Sequence, residues 1–87
     1  MTVVSVPTEA QLRAELAPVL GLADAAELDP DANLVVLGLS SLELMRMVGR
    51  WNKAGVPAVF EELVATPTLT AWLRHFAAIV AQGAKNA

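Results

Sequence analysis

The apolar residues of this chain recur at three- and four-residue spacing in four stretches, with no convincing strand alternation. That pattern admits helices and excludes a sheet. Leu12, Leu16, Val19 and Leu20 form one set, and Leu44, Met47, Val48 and Trp51 a second. Phe60, Leu63 and Val64 make a short third, and Leu69, Trp72, Leu73, Phe76, Ile79 and Val80 a fourth. The expected fold is all-α, a four-helix bundle. With 87 residues, 55% of them hydrophobic and none of them cysteine, there is material for one core, without disulfides or thiolate metal sites to support it.

Punctuation places the helix ends. Thr8-Glu9-Ala10-Gln11 fits a capping box, so residues 1–7 read as an N-terminal tail and the first helix starts at Thr8. Pro18 predicts a kink or a tightening before a stop near Gly21. Residues 21–39 then make a long connection between helices one and two. Its Leu22, Leu28, Leu34, Leu37 and Leu39 are expected to pin it to the core. The second helix runs from the pair Ser40-Ser41 to about Ala54, with Gly55 as the stop. In Thr66-Pro67-Thr68 either threonine can cap the fourth helix, and Pro67 suits its first position. The compact domain is expected over 8–82, with 83–87 a C-terminal tail or linker stub.

The bulk numbers remove several function classes. A net charge of −3 argues against nucleic acid as a partner. No apolar run is long enough to span a membrane. The opening MTVVSV lacks the basic start and apolar core of a signal peptide, so a cytoplasmic setting is expected. The charge is uneven: residues 1–45 hold one Arg against seven Asp and Glu, residues 46–87 five Lys and Arg against two Glu. Arg46, Arg50 and Lys53 cluster on the second helix.

That helix carries a second apolar sector. Leu42, Met45 and Gly49 lie well away from the core stripe, and a Leu–Met pair beside a helix N-terminus makes an adaptable docking surface. At the head of the helix stand two serines, although an N-cap needs only one. The other is exposed in the positive end of the helix dipole, where an attached phosphate is favoured. Hydrolytic chemistry does not fit, because it requires a positioned base and an oxyanion hole. The single histidine, His75, falls on the fourth helix as a surface or boundary residue, and Gly-Leu-Ser-Ser-Leu does not match the Gly-x-Ser-x-Gly elbow. Trp51 and Trp72 read as core, each N–H needing an acceptor or water.

The stretch NLVVLGLSSLELM, followed by RW and later PTLTAWL, resembles the carrier (thiolation) domains of nonribosomal peptide synthetases. Within that family it is most similar to the aryl carrier proteins of siderophore biosynthesis, through LRAELAPVL, GRW and the Phe before PTLTAW. The resemblance covers about residues 11–77. It implies the four-helix fold of acyl and peptidyl carrier proteins and 4′-phosphopantetheine attached to Ser41 within Gly38-Leu39-Ser40-Ser41. Ser40 falls where the family has an aspartate, keeping a capping oxygen without the charge, which implies slower priming. Val36 also departs, since acidic or polar residues are frequent there in relatives.

By the same resemblance the chain is a non-catalytic carrier. A phosphopantetheinyl transferase would use Mg²⁺ to help Ser41 Oγ attack coenzyme A. An adenylation domain would load an aryl acid (salicylate or 2,3-dihydroxybenzoate) or an aminoacyl group as a thioester, and a condensation or cyclisation domain would take it. Leu42, Met45, Phe60, Val64 and Arg46 are the expected docking residues of a monomer that binds neither nucleic acid nor membrane. A fatty-acid or polyketide carrier is the alternative within the class, and an unmodified helical interaction module the alternative outside it.

Overall fold

The computed structural model describes residues 5–85. Thr8 caps α1 (Glu9–Leu20): its Oγ1 accepts the Gln11 N–H at 3.1 Å, and Gln11 Oε1 accepts the Thr8 N–H at 2.9 Å. The helix continues past Pro18 and tightens as it closes. The Gly21 N–H reaches the Pro18 carbonyl at 3.4 Å, and the Leu22 N–H reaches that of Ala17 at 2.8 Å. Gly21 sits at φ 72°, the left-handed conformation this closure demands.

The other helices are α2 (Ser41–Lys53), α3 (Phe60–Ala65) and α4 (Leu69–Lys85). No strand occurs among the described residues. The four-helix expectation therefore holds, with two boundary corrections. Thr68 alone caps α4, accepting the Ala71 N–H at 3.1 Å, so Pro67 precedes the helix instead of opening it. The helix also runs beyond residue 82 to Lys85, into the segment expected as a tail or linker stub; residues 86–87 lie outside the described residues. At the other end, Val6 of the expected N-terminal tail packs against the core.

Each helix buries one stripe: Leu12 and Leu16 from α1, Leu44, Met47 and Trp51 from α2, Leu63 from α3, and Leu69, Trp72 and Phe76 from α4. Trp51 meets Trp72 and Phe76 edge-on at ring-centre distances of 6.2 and 5.1 Å, a geometry aromatic quadrupoles favour. The buried Trp72 indole N–H ends on the Leu63 carbonyl at 2.9 Å, tying α4 to α3. Among the described residues no buried side-chain N or O lacks a partner, and no helix is long and apolar enough to cross a membrane.

The long connection is ordered by polar pins as well as leucines. It contains a short 3₁₀ turn (Ala25–Glu27) capped by Asp24. From α1, Arg13 Nη1 donates to the carbonyls of Ala25 and Leu28 at 3.2 and 2.7 Å, while its Nε holds Glu9. From α4, the Thr70 N–H donates to the Pro30 carbonyl at 3.0 Å, and Thr70 Oγ1 lies 2.8 Å from Asp31 Oδ1. Leu28, Leu34 and Leu39 are buried and Leu22 is half-buried. Leu37 is not a pin: it is 44% exposed, because the turn that buries Leu34 and Leu39 at its ends points it outward.

Candidate functional site

The pinned connection delivers the chain to the head of α2. Leu39 is buried and its N–H donates to the Leu34 carbonyl at 2.9 Å, so this end of the loop is fixed to the core. Gly38 before it adopts φ 124°. No atom lies within 4 Å of where a Cβ would stand, so glycine is required there by backbone conformation and not by crowding.

Ser40 and Ser41 then part company. Ser40 is the N-cap: its Oγ accepts the Glu43 N–H at 3.1 Å, and Glu43 Oε1 accepts the Ser40 N–H at 3.2 Å. The Ser40 hydroxyl also donates to that same Oε1 at 3.0 Å. Glu43 was not singled out from the sequence, although Ser-x-x-Glu ahead of an apolar helix is a capping-box signal. Its carboxylate returns a negative charge to the helix head.

Ser41 is the first residue of α2 and is exposed. The cap works entirely through Ser40, which leaves the Ser41 hydroxyl free for chemistry. The Glu43 and Leu44 amides are taken by Ser40 Oγ and the Ser40 carbonyl, whereas the earlier amides of a helix have no partner within it. An attached phosphate would therefore meet unspent N–H groups and the positive end of a 13-residue helix. The residues present fit a phosphate ester on Ser41.

The expected docking residues fall into two groups. Leu42 and Met45 are 54% and 51% exposed on α2, and Arg46 is exposed beside them. Phe60 and Val64 on α3 are half-buried and pack against the core, so they anchor that helix as well as reach its surface. Sequence reasoning missed Val35, which with Leu37 and the far more exposed Val36 adds exposed apolar side chains in the segment before Ser41.

His75 is a boundary residue. Its Nε2 accepts the Val59 N–H and its Nδ1 lies 2.8 Å from Glu62 Oε2, far in the chain from either serine. Among the described residues no cluster of His, Cys, Asp or Glu could hold a metal ion.

Residues 10–76, most of the chain and all of the α2 head, match the model of the family described as "phosphopantetheine attachment site". The chain belongs to this carrier family. Members carry 4′-phosphopantetheine, and the four-helix architecture is theirs. Among curated proteins, the chain is 52% identical over 62 residues to the phenyloxazoline synthase MbtB of Mycobacterium tuberculosis (strain CDC 1551 / Oshkosh), which covers 70% of this chain and 4% of that protein. The phenyloxazoline synthase MbtB of Mycobacterium sp. (strain MCS) is 46% identical over 63 residues, 72% of this chain and 5% of that protein. The pseudomonine synthase PmsE of Pseudomonas entomophila (strain L48) is 45% identical over 49 residues, 56% of this chain and 8% of that protein. The chain thus spans less than a tenth of these relatives' length. No solved structure matches it.

Proposed function

We propose that this domain is a non-catalytic carrier, primed on Ser41, that holds an aryl or aminoacyl group as a thioester in siderophore-type nonribosomal peptide biosynthesis in the cytoplasm. The observation that carries the reading is the division of labour at the α2 head: Ser40 makes the cap, and Ser41 stands exposed on the first helical turn inside the matched segment. In priming, the Ser41 Oγ–P bond forms and the diphosphate P–O bond of coenzyme A breaks. Adenosine 3′,5′-bisphosphate leaves, and the hydroxyl proton passes to a base of the phosphopantetheinyl transferase. When bound, the arm supplies a terminal thiol for the thioester, which this cysteine-free chain cannot supply.

The aryl cargo, salicylate or 2,3-dihydroxybenzoate, is supported by the similarity to a phenyloxazoline synthase, whose name denotes a product with an aromatic ring on an oxazoline. Partners on this reading are the transferase, an adenylation domain and a condensation or cyclisation domain. They dock one carrier monomer through Leu42 and Met45, with Arg46, Phe60 and Val64 at the edge. A fatty-acid or polyketide carrier is less well supported, because α2 places Arg46, Arg50 and Lys53 against Glu43 alone.

Intact mass after incubation with coenzyme A, Mg²⁺ and a broad-specificity transferase tests the attachment. The mass rises by one phosphopantetheine, the rise disappears in Ser41→Ala, and it survives in Ser40→Ala. A rise that follows Ser40 instead would move the site, and no rise with any transferase would favour an unmodified interaction module. Loading of the primed protein by aryl-activating and amino-acid-activating adenylation enzymes then decides the cargo.

A further inference from the structure

Val36 is 81% exposed, the most exposed large apolar side chain among the described residues. It does not sit on a loose loop. Asn33 Oδ1 accepts the N–H groups of Val35 and Val36 at 2.9 and 3.1 Å. The Leu37 N–H donates to the Asn33 carbonyl and the Gly38 N–H to that of Val35, each at 3.1 Å. The Leu34 N–H is held by the Pro67 carbonyl at 2.7 Å. With Leu34 and Leu39 buried at its two ends, the turn is a fixed knuckle that pushes Val35, Val36 and Leu37 into solvent. Nothing inside the domain explains an apolar side chain held out in this way.

Its position selects one occupant. The chain from Val36 to Ser41 spans at most roughly 18 Å of contour, and the Leu39-to-Leu34 bond folds it back on itself. A standard interface of about 800 Å² per partner is a disc of roughly 16 Å radius. An enzyme whose catalytic groups touch Ser41 Oγ therefore has the knuckle within its reach. A partner that acts on the thiol at the end of the arm also docks beside Ser41 through Leu42 and Met45 on the proposed reading, but its catalytic groups need not touch Ser41 Oγ. Charge points the same way: residues 33–40 contain no ionisable side chain, and the Glu43 carboxylate is engaged by Ser40. The matching enzyme surface is apolar.

We infer that Val36, with Val35 and Leu37 beside it, is a specificity determinant for the priming enzyme, docking in an apolar recess of the phosphopantetheinyl transferase. The inference rests on Ser41 being the attachment residue. Steady-state priming of wild type, Val36→Asp and Val36→Ser with a transferase that primes the wild type tests it. Each variant is also driven to full modification with excess enzyme and then loaded by an adenylation enzyme. Val36→Asp should raise the KM for the carrier about tenfold with kcat little changed, and Val36→Ser should do so less, while loading of the primed variants matches wild type. Unchanged priming constants overturn the inference. A loss in loading as large as the loss in priming also overturns it, assigning the knuckle to a later partner. Thermal melts of both variants confirm that the fold is kept, and a wild type that no transferase primes would sink the carrier proposal itself, which is a separate result.

Discussion

The Val59 backbone N–H donates to Nε2 of His75 across 3.2 Å, so the start of α3 hangs from a side chain of α4. No side chain caps α3 at Val59. The same imidazole reaches Glu62 through Nδ1, which makes it the main polar link between the two helices beside the Trp72–Leu63 bond. His75→Ala should cost about 1 kcal/mol, the usual net worth of a hydrogen bond, and lower the thermal midpoint by roughly 4–8 °C in a domain of this size. A midpoint unchanged within a degree would show that α3 is held by packing alone.

Ser40 and Ser41 should separate in stability as cleanly as in chemistry. Ser40→Ala removes the N-cap and should cost about 1 kcal/mol in urea unfolding. Ser41→Ala should cost less than about 0.5 kcal/mol, as an exposed change away from the cap. A larger loss from Ser41→Ala than from Ser40→Ala would mean that the capping roles are reversed.

Replacing Ser40 with aspartate should not stabilise the helix head. The Ser40 hydroxyl now donates to Glu43 Oε1, and Ser40→Asp would set a second carboxylate against it. The double change Ser40→Asp with Glu43→Gln restores a donor, and should be more stable than Ser40→Asp alone by about 1 kcal/mol in a double-mutant cycle. Simple additivity of the two changes would show that the positions are independent.

Arg13 is the strongest pin of the long connection, because a charged donor serves two loop carbonyls. Arg13→Met keeps much of the side-chain volume and should cost about 2 kcal/mol, as expected for a charge-assisted bond. It should also speed amide exchange around residues 25–28 more than in α4. Uniform acceleration over the whole chain would instead indicate global destabilisation.

On α2, Met45→Asp should change stability by less than about 0.5 kcal/mol, since Met45 is half exposed. Its neighbour Leu44 is buried, and Leu44→Ala should cost about 2–5 kcal/mol. Under the proposed function, Met45→Asp weakens transfer to the downstream domain while helicity stays intact by circular dichroism. A melted Met45→Asp would place Met45 in the core.

Helix number and the buried stripes were legible because residues such as Leu12, Leu16, Trp72 and Phe76 repeat at the helical period, which only one face can bury. The Thr8 box was legible because its partners are three residues apart. What escaped the sequence depends on contacts between distant segments. Nothing local distinguishes Leu37, which faces out, from Leu34, which faces in; the Asn33 turn and the Pro67 carbonyl decide it. Thr68 prevailed over Thr66 as the α4 cap, and the Pro67 carbonyl before it accepts the Leu34 N–H from the long connection. The serine pair read as a cap and an exposed hydroxyl from residues alone, the resemblance implied Ser40 for the cap and Ser41 for attachment, and the reciprocal bonds of Glu43 supply the geometry of that cap.

The pins on the long connection also govern how cargo would travel. Arg13, Thr70 and the Pro67 carbonyl fasten the segment leading to Ser41 to three separate parts of the bundle. Under the proposed function, the pivot of the arm is therefore stationary with respect to the domain. The sweep that takes a cargo from one enzyme to the next belongs to the arm's own rotatable bonds and to tumbling of the whole bundle as a rigid body. Each partner consequently sets the cargo's reach by how it orients this one body.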